Sequence, residues 1–250
     1  MDPSAETASP QTESPGTRPV GRWTRLPRWA RWVITAAVVL LAAAVIAPLV
    51  LAALSRAPED FVSSRALGDG TVAAADLEGR WEVADGSQVG YRVGERIGLA
   101  TLEAVGRTDA VTGEFSVEDG VLTEAEFVVD MTTFTSDRSQ RDDQFNGRIM
   151  DVETFPESRF TLTEAAEVPD STDVATMDPF VVIGDLTLRG TTMPVTFDLY
   201  AATDEGRLRL TGSTVIVFSE WGIPNPSLPA AMIFTDSDGI LEFDLVLAPA

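Results

Sequence analysis

Apolar and polar residues alternate over most of the C-terminal part of the chain. In residues 184–200, GDLTLRGTTMPVTFDLY, two alternating runs are joined at Arg189-Gly190-Thr191-Thr192, and this pattern predicts a β-hairpin with one apolar face. Two further runs in residues 109–134 are joined at Glu118-Asp119-Gly120, where Asp-Gly is a strong turn signal. Similar runs continue to residue 248, so the pattern predicts about eight antiparallel strands in a sandwich or barrel.

A closed barrel suits these strands because closure leaves no free sheet edge. Such a barrel encloses an interior just wide enough for side chains or for one small ligand. The residues predicted to face inward are mainly phenylalanine, leucine and valine. The sequence therefore predicts an all-β fold with short helices, in which an unfilled interior would be a dry pocket for an apolar chain.

The alternation is lost in residues 136–157, SDRSQRDDQFNGRIMDVETFPE. Ser136 and Asp137 are suited to cap a short helix, and Asn146-Gly147 is suited to end it. We expect one or two helical turns here, lying over an opening of the sheet.

A different pattern marks the N-terminal region. Residues 32–54 form a run of 23 uncharged, mostly apolar residues, which as a helix would span roughly 34 Å at ~1.5 Å per residue. This length matches a transmembrane helix, and four arginines lie in the ten residues before it while acidic residues follow it. We therefore expect a disordered cytoplasmic tail (1–31), a single-pass anchor (32–54), a linker (55–78) and an extracytoplasmic barrel domain (79–250). A cleaved signal peptide is the alternative, but its apolar region would be about twice the usual ~7–15 residues.

The composition excludes several kinds of chemistry. The chain has no His and no Cys, and all its basic residues are arginines, since none is lysine. Disulfides, thiolate nucleophiles, histidine bases and lysine Schiff bases are thereby excluded. We expect no cofactor, no metal site and no enzymatic activity, although catalysis by Asp or Glu on a bound quinone or an envelope carbohydrate is the one enzymatic alternative.

The charge is strongly acidic, with a formal net charge of -21. Residues 57–250 carry a net charge of -24, from 12 Arg and 36 acidic residues, and such a surface repels nucleic acid, so we expect no nucleic-acid partner. A self-repelling soluble surface is the simpler interpretation, and a cation-binding or salt-adapted surface is the other. The acidic pairs Asp142-Asp143 and Asp236/Asp238 lack EF-hand spacing.

Several motifs resemble the YceI-like family. GDLTLRGTTMPVTFDL is similar to the family's signature strand pair, with Arg189 where a histidine is usual. GEFSVEDGVL and VFSEWGIP also fit, and the resemblance covers roughly residues 80–248. The stretch from residue 130 to 161 matches the family's strand, helix and aromatic strand at Arg141, Asp142, Phe155, Pro156 and Phe160.

This resemblance implies a lipocalin-like barrel, closed at one end by a helix, that holds a long isoprenoid lipid such as a quinone tail or a polyprenyl amphiphile. The chain departs from the family pattern near Val93-Gly94, at Phe218 and at Trp221. Polar contacts to a headgroup are therefore expected to differ, whereas the apolar tunnel is expected to remain. Together with the anchor, the resemblance implies a membrane-anchored extracytoplasmic carrier or binding protein.

The candidate ligand-binding residues are the inward-facing apolar side chains. Each fits ordinary core packing as well as a tunnel wall, but some of the set must line any tunnel. Those of the capping segment and of the 225–238 loop, NPSLPAAMIFTDSD, would lie at its mouth. The predicted binding residues are Phe115, Phe127, Val129, Phe145, Ile149, Phe155, Phe160, Leu186, Phe197, Trp221, Met232 and Phe243.

Two arginines have two interpretations each. Arg141 with Asp142 is either a headgroup anchor or, as we prefer, a structural ion pair. Arg189 is either a headgroup ligand or, since strand parity points it outward, a solvated charge. The alternative for the whole protein is a cell-envelope structural or interaction protein with a solid barrel and an acidic partner-binding surface.

Overall fold

The computed structural model describes residues 28–54, 57–61, 72–169, 171–172, 179–204 and 207–250. The chain divides into two units, Met1–Val45 and Ile46–Ala250. Helix α1 (Arg28–Leu54) begins four residues before the predicted anchor, and residues 1–27 of the predicted tail lie outside the described residues. Among the residues described, a search for helices long and apolar enough to cross a membrane finds none.

Short antiparallel strands make up most of the second unit. They are β1 (Val72–Ala73), β2 (Gly79–Val83), β3 (Gln88–Ile97), β4 (Ala100–Thr108), β5 (Val111–Glu118), β6 (Val121–Asp130), β7 (Thr135–Ser136), β8 (Glu157–Leu162), β9 (Ala166–Glu167), β10 (Ser171–Thr172), β11 (Phe180–Leu188), β12 (Thr191–Asp204), β13 (Arg207–Val217), β14 (Ile233–Thr235) and β15 (Asp238–Pro249). The helical elements of this unit are α2 (Ser139–Gln144), a π-helical turn (Phe145–Ile149) and 3-10 turns at Ala74–Asp76, Met131–Thr133 and Pro229–Ala231.

Eight of these strands close into a ring. The order is β13-β12-β11-β8-β6-β5-β2-β15, and β15 pairs back onto β13 over Leu208–Val217. The prediction of a closed antiparallel barrel of about eight strands is confirmed. The hairpin predicted at Arg189-Gly190 is also present, since Leu188 pairs with Thr191 and both turn residues have positive φ, 50° and 73°. Two consecutive positive φ values are what a two-residue type I′ turn requires.

One end of the barrel is built differently from the other. Strand β15 pairs with β3 over Ile240–Asp244 but with β2 over Leu247–Pro249, so the sheet divides and β3, β4 and β7 form a branch. Strand β7 of this branch follows β6 of the ring, and α2 and the π-helical turn come directly after β7. This segment therefore connects the branch to the ring. We call residues 139–149 the lid.

The lid differs in detail from the helix expected from the sequence. The helical turns do not end at Asn146-Gly147, because the Met150 N–H donates to the carbonyl of Phe145 at 2.8 Å and continues them as a π-helical turn. Ser136 does not cap the helix with its oxygen. Its N–H and hydroxyl donate instead to the Asp142 carboxylate at 2.9 and 2.6 Å.

The described parts of the predicted linker are attached to the barrel. The carbonyl of Pro58 accepts a hydrogen bond from Arg92 at 2.9 Å, and Phe61 is buried with the Arg107 guanidinium 4.0 Å from its ring centroid. Val72 and Leu77 are also buried, and Leu77 accepts from the Trp81 indole at 2.9 Å. Residues 55–56 and 62–71 lie outside the described residues.

An ion cluster fixes residues 57–61 against the outer wall. The carboxylate of Glu242 lies 3.3 Å from Arg92 and 3.3 Å from Arg107, and its side chain is only 2% exposed. Arg92 also pairs with Glu103 at 2.8 Å, and Arg107 donates to the carbonyl of Glu59 at 2.5 Å. Glu242 thus faces outward from its strand, as the alternation predicts, yet it is buried beneath another part of the chain.

Candidate functional site

The barrel encloses an apolar cavity of about 210 Å³. Its wall includes side chains from almost every strand of the ring and from the lid. Aliphatic and aromatic groups dominate this wall. The cavity volume shows that the interior is not filled solid by its own side chains. Members of the wall outside the predicted binding set include Leu77, Tyr91, Val93, Met131, Phe134, Met150, Val182, Leu210, Ile216 and Phe218.

Most of the predicted binding residues do meet in this cavity. They come from β5, β6, β8, β11, β12, β15 and the lid, which the ring brings around one axis. The predicted residues that line the cavity are Phe115, Phe127, Val129, Phe145, Ile149, Phe160, Leu186, Phe197 and Phe243. Strand parity located the seven that lie on ring strands, which turn alternate side chains inward, whereas Phe145 and Ile149 were predicted from the capping segment.

Phe155, Trp221 and Met232 do not line the cavity. Phe155 lies against the Arg189-Gly190 turn, with the Arg189 guanidinium 5.9 Å from its ring centroid. Trp221 is buried in the core behind the wall, and Met232 is exposed to solvent. All three lie outside regular strands, where parity carries no information about direction.

Glycines keep the aromatic rings of the wall away from the barrel axis. A Cβ atom on Gly212 would lie 2.7 Å from the ring of Phe243, and one on Gly184 would contact the ring of Phe160. The bare backbone at these positions lets each ring lie flat on the neighbouring strand. Phe197 links the two rings, with centroids 5.5 Å from each, so the aromatics form one band along the wall.

We predict that Gly184→Ala destabilises the barrel. The added methyl would lie 2.5 Å from the carbonyl oxygen of Thr161 and would push the Phe160 ring toward the axis. Overpacking of this kind costs about 1–3 kcal/mol, measurable as a lower midpoint in urea unfolding of the full chain. Gly147→Ala is the matched control, since no atom lies within 4 Å of its Cβ position. Equal loss of stability in both variants would contradict this account of Gly184.

The lid closes the cavity with a stack of three rings. Phe145 stacks on Tyr91 with centroids 4.9 Å apart and lies 5.1 Å from Phe134. Tyr91 alternates with Val89 and Val93 along β3, so the parity that located the other wall residues was sufficient to find it. Phe134 follows a 3-10 turn after β6, where the alternation has ended.

A charged side chain of α2 lies beside these rings. Arg141 contributes to the cavity wall, pairs with Glu95 at 3.2 Å and also pairs with Asp137. The proposed pairing of Arg141 with Asp142 is wrong, because Asp142 accepts from Ser136 instead. Burial works against the charge of Arg141, but Glu95 and Asp137 outweigh it and raise its pKa overall. Arg141 therefore stays protonated, and two carboxylates already compensate its charge.

Tyr91 makes the stability of the barrel sensitive to alkaline pH. Burial raises the pKa of its phenol, and the nearby Arg141 opposes this only in part. In the unfolded chain the phenol ionises near pH 10, whereas in the barrel it remains neutral to higher pH. The unfolded state therefore loses a proton that the folded state keeps, and the stability present below pH ~10 decreases as pH rises beyond it.

The measurement is unusually clean in this chain. Because it has no Lys, His or Cys, the side chains that titrate between about pH 9 and 12 are its two tyrosines. We expect urea unfolding to show a constant stability up to about pH 9, a decrease above pH 10, and most of that decrease removed by Tyr91→Phe. Tyr200→Phe is the control, and an equal effect of both substitutions would contradict the assignment.

Arg189 is not the solvated charge expected from strand parity. Its guanidinium donates to the carbonyl of Gly222 at 2.7 Å and lies near the ring of Phe155. The parity argument failed because Arg189 belongs to the turn, where a positive φ redirects the side chain. Arg189 does not line the cavity, so its role in this structure is to connect the β11–β12 turn to the loop that follows β13.

Comparisons with known proteins agree with this architecture. A family model described as a YceI-like domain matches residues 81–247. No curated protein matches the chain.

Several solved structures are similar to this chain, and two examples are covered over nearly their full length. BcnA of Burkholderia cenocepacia shares 17% identity with a TM-score of 0.51, covering 65% of this chain and 96% of its own. A polyisoprenoid binding domain from Saccharophagus degradans, implicated in plant cell wall breakdown, shares 14% identity with a TM-score of 0.52, covering 69% of this chain and 99% of its own. At these identities the likeness concerns the fold.

Proposed function

Because the chain belongs to the YceI-like family, we propose that it binds the tail of an isoprenoid lipid in its barrel and acts as a carrier or binding protein. The family is one of binding proteins, not of enzymes. The polyisoprenoid binding domain that shares the fold supports this ligand class.

The observation that carries the proposal is the apolar cavity of about 210 Å³ inside a closed barrel. Each buried CH₂ contributes about 0.8 kcal/mol, so one five-carbon isoprene unit contributes a few kcal/mol before ordering costs. A smooth apolar wall thus suffices for tight binding without any catalytic group. The alternative of a structural protein with a solid barrel requires a filled interior, and the cavity argues against it.

The cavity volume also bears on how much of a lipid is enclosed. A water-sized group needs about 10–15 Å³ of cavity volume. The cavity therefore accommodates on the order of 15 methylene-sized groups. This corresponds to roughly three isoprene units. A longer tail would extend through the mouth of the barrel or displace side chains of the wall.

The proposal includes a location at the outer face of the cytoplasmic membrane. Its supports are the 23 uncharged residues of 32–54, the arginines that precede them and the acidic residues that follow. Helix α1 covers this segment, and its described apolar side chains, such as Leu40 and Leu41, are exposed. Residues 32–54 would then hold the barrel near its lipid source, and a quinone or a polyprenol would be the ligand.

The test is to identify what the purified protein carries. The full chain is extracted from its native membrane in detergent, and organic extracts are analysed by mass spectrometry for lipids enriched over the bulk phospholipids. We expect an isoprenoid lipid in a near-stoichiometric amount. Undecaprenol or a menaquinone added to lipid-free protein should also raise its unfolding midpoint, as any ligand that binds only the folded state does. Absence of both effects would contradict the proposal.

A further inference from the structure

An uncharged apolar surface lies beside the polar end of the cavity. Strand β14 pairs with the end of β3, so Thr235 and Glu95, which line the cavity, are followed outward by Ile233 opposite Ile97. Beyond them, the N–H of Gly98 donates to the carbonyl of Met232 at 3.1 Å and joins the β3–β4 turn to the 221–235 loop.

The side chains presented at this junction are large and apolar. Leu99 is 92% exposed at the tip of the β3–β4 turn, and Met232 is 61% exposed beside it. Phe234 and Leu228 complete the surface, and both are exposed. We call Leu99, Leu228, Met232 and Phe234 the mouth patch. Glu95 lies two residues, about 7 Å of strand, before β3 ends at Ile97, and the turn that carries Leu99 follows, so the patch lies directly beyond the cavity wall.

The mouth patch lies on two uncharged segments of a strongly acidic domain. The segments that form it, residues 97–102 and 221–235, contain no charged residue. If the acidic residues were spread evenly over residues 57–250, residues 221–235 alone would contain about three of them. Arg96 borders the patch, with its guanidinium 5.5 Å from the ring centroid of Phe234. Arg148 and Arg189 also contact the longer segment, where they donate to the carbonyls of Pro226 and Gly222 at 3.0 and 2.7 Å.

We propose that the mouth patch docks on a lipid bilayer and that the isoprenoid tail enters the cavity there. Anionic lipid headgroups repel an acidic protein surface. The mouth patch is uncharged, apolar and bordered by an arginine, so contact with a bilayer is favourable there. Exposed apolar surfaces of this kind mark interaction sites. The inference rests on the proposed function, since it names the source from which the ligand reaches the cavity.

The absence of cysteine allows a site-specific test in the full chain. Met232→Cys places a fluorescent label in the patch, and Val215→Cys is a matched control, because both residues are apolar and 61% exposed. Val215 lies on the outer wall, paired with Ile240. Each labelled protein is reconstituted in vesicles of phosphatidylcholine and phosphatidylglycerol that contain a nitroxide on the acyl chain.

We expect quenching at Met232 to exceed that at Val215 several-fold. Equal quenching at the two sites, or none at either, would overturn the proposal. A second measurement follows undecaprenol uptake, for which Met232→Glu should slow transfer from vesicles about tenfold while leaving binding from detergent solution unchanged. An unchanged transfer rate would also count against docking.

The same samples separate failure of this inference from failure of the proposed function. If undecaprenol binds from detergent but the label at Met232 stays in water, the cavity binds lipid and the patch does not dock. If the label is quenched but no undecaprenol binds, docking is supported and lipid binding in the cavity is contradicted.

Discussion

Replacing Val182 with Phe is expected to weaken binding of an isoprenoid chain roughly a thousandfold. Val182 is buried on β11 and lines the cavity beside Phe197, its pairing partner on the neighbouring strand β12. A phenyl ring at this position would therefore occupy space needed by the ligand. Excluding about one isoprene unit removes five buried carbons at ~0.8 kcal/mol each, or about 4 kcal/mol. Each 1.4 kcal/mol corresponds to about a tenfold change in the dissociation constant.

The adjacent residue supplies the control for this substitution. Val181 precedes Val182 on the same strand but faces outward and is exposed, so Val181→Phe adds the same ring outside the barrel. The dissociation constant of a fluorescent undecaprenol, measured by anisotropy with the full chain in detergent, should change only for Val182→Phe. Similar affinities of the two variants, both folded by circular dichroism, would show that the ligand does not occupy this part of the cavity.

The second large effect is expected from Glu242→Gln. The Glu242 carboxylate is the shared partner of Arg92 and Arg107, and the Arg92 side chain is only 7% exposed. Removing the negative charge leaves a buried guanidinium with weakened compensation, and breaking a buried pair in this way typically costs about 3–5 kcal/mol. The loss should appear as a lower urea midpoint in unfolding of the full chain.

Glu103→Gln tests whether burial is the cause. Glu103 also pairs with Arg92, at 2.8 Å, but 48% of its side chain is exposed. An exposed pair contributes about 0–1 kcal/mol, so this variant should unfold close to the unmodified protein. If the two substitutions had the same effect, the cluster would not stabilise the barrel through the buried carboxylate.

The barrel and most of its wall were predictable because strand parity is a local property. Alternation placed Phe115, Phe160 and Phe197 inward, and the Asp-Gly and Arg-Gly turns marked the hairpins. Alternation alone does not distinguish a closed barrel from a sandwich. The resemblance of the motifs to the YceI-like family indicated the closed barrel and also the class of ligand.

The remaining features depend on contacts between distant parts of the chain. The burial of Glu242 comes from residues 57–61, which lie about 180 positions earlier, and no pattern within β15 reports it. Phe155, Trp221 and Met232 follow turns or loops, where side-chain direction is set by tertiary packing. The π-helical turn of the lid likewise leaves no simple signal, since Asn146-Gly147 is an ordinary helix-ending pair.

The attachment of residues 57–61 and 72–77 affects how the barrel can be produced in isolation. A fragment limited to the family match, residues 81–247, would lack Leu77 from the cavity wall and the acceptor of the Trp81 indole. It would also expose Glu242 and its two arginines to solvent along one flank. A truncation intended for crystallisation should therefore begin before Pro58, so that residues 57–61 continue to cover Glu242 and its two arginines.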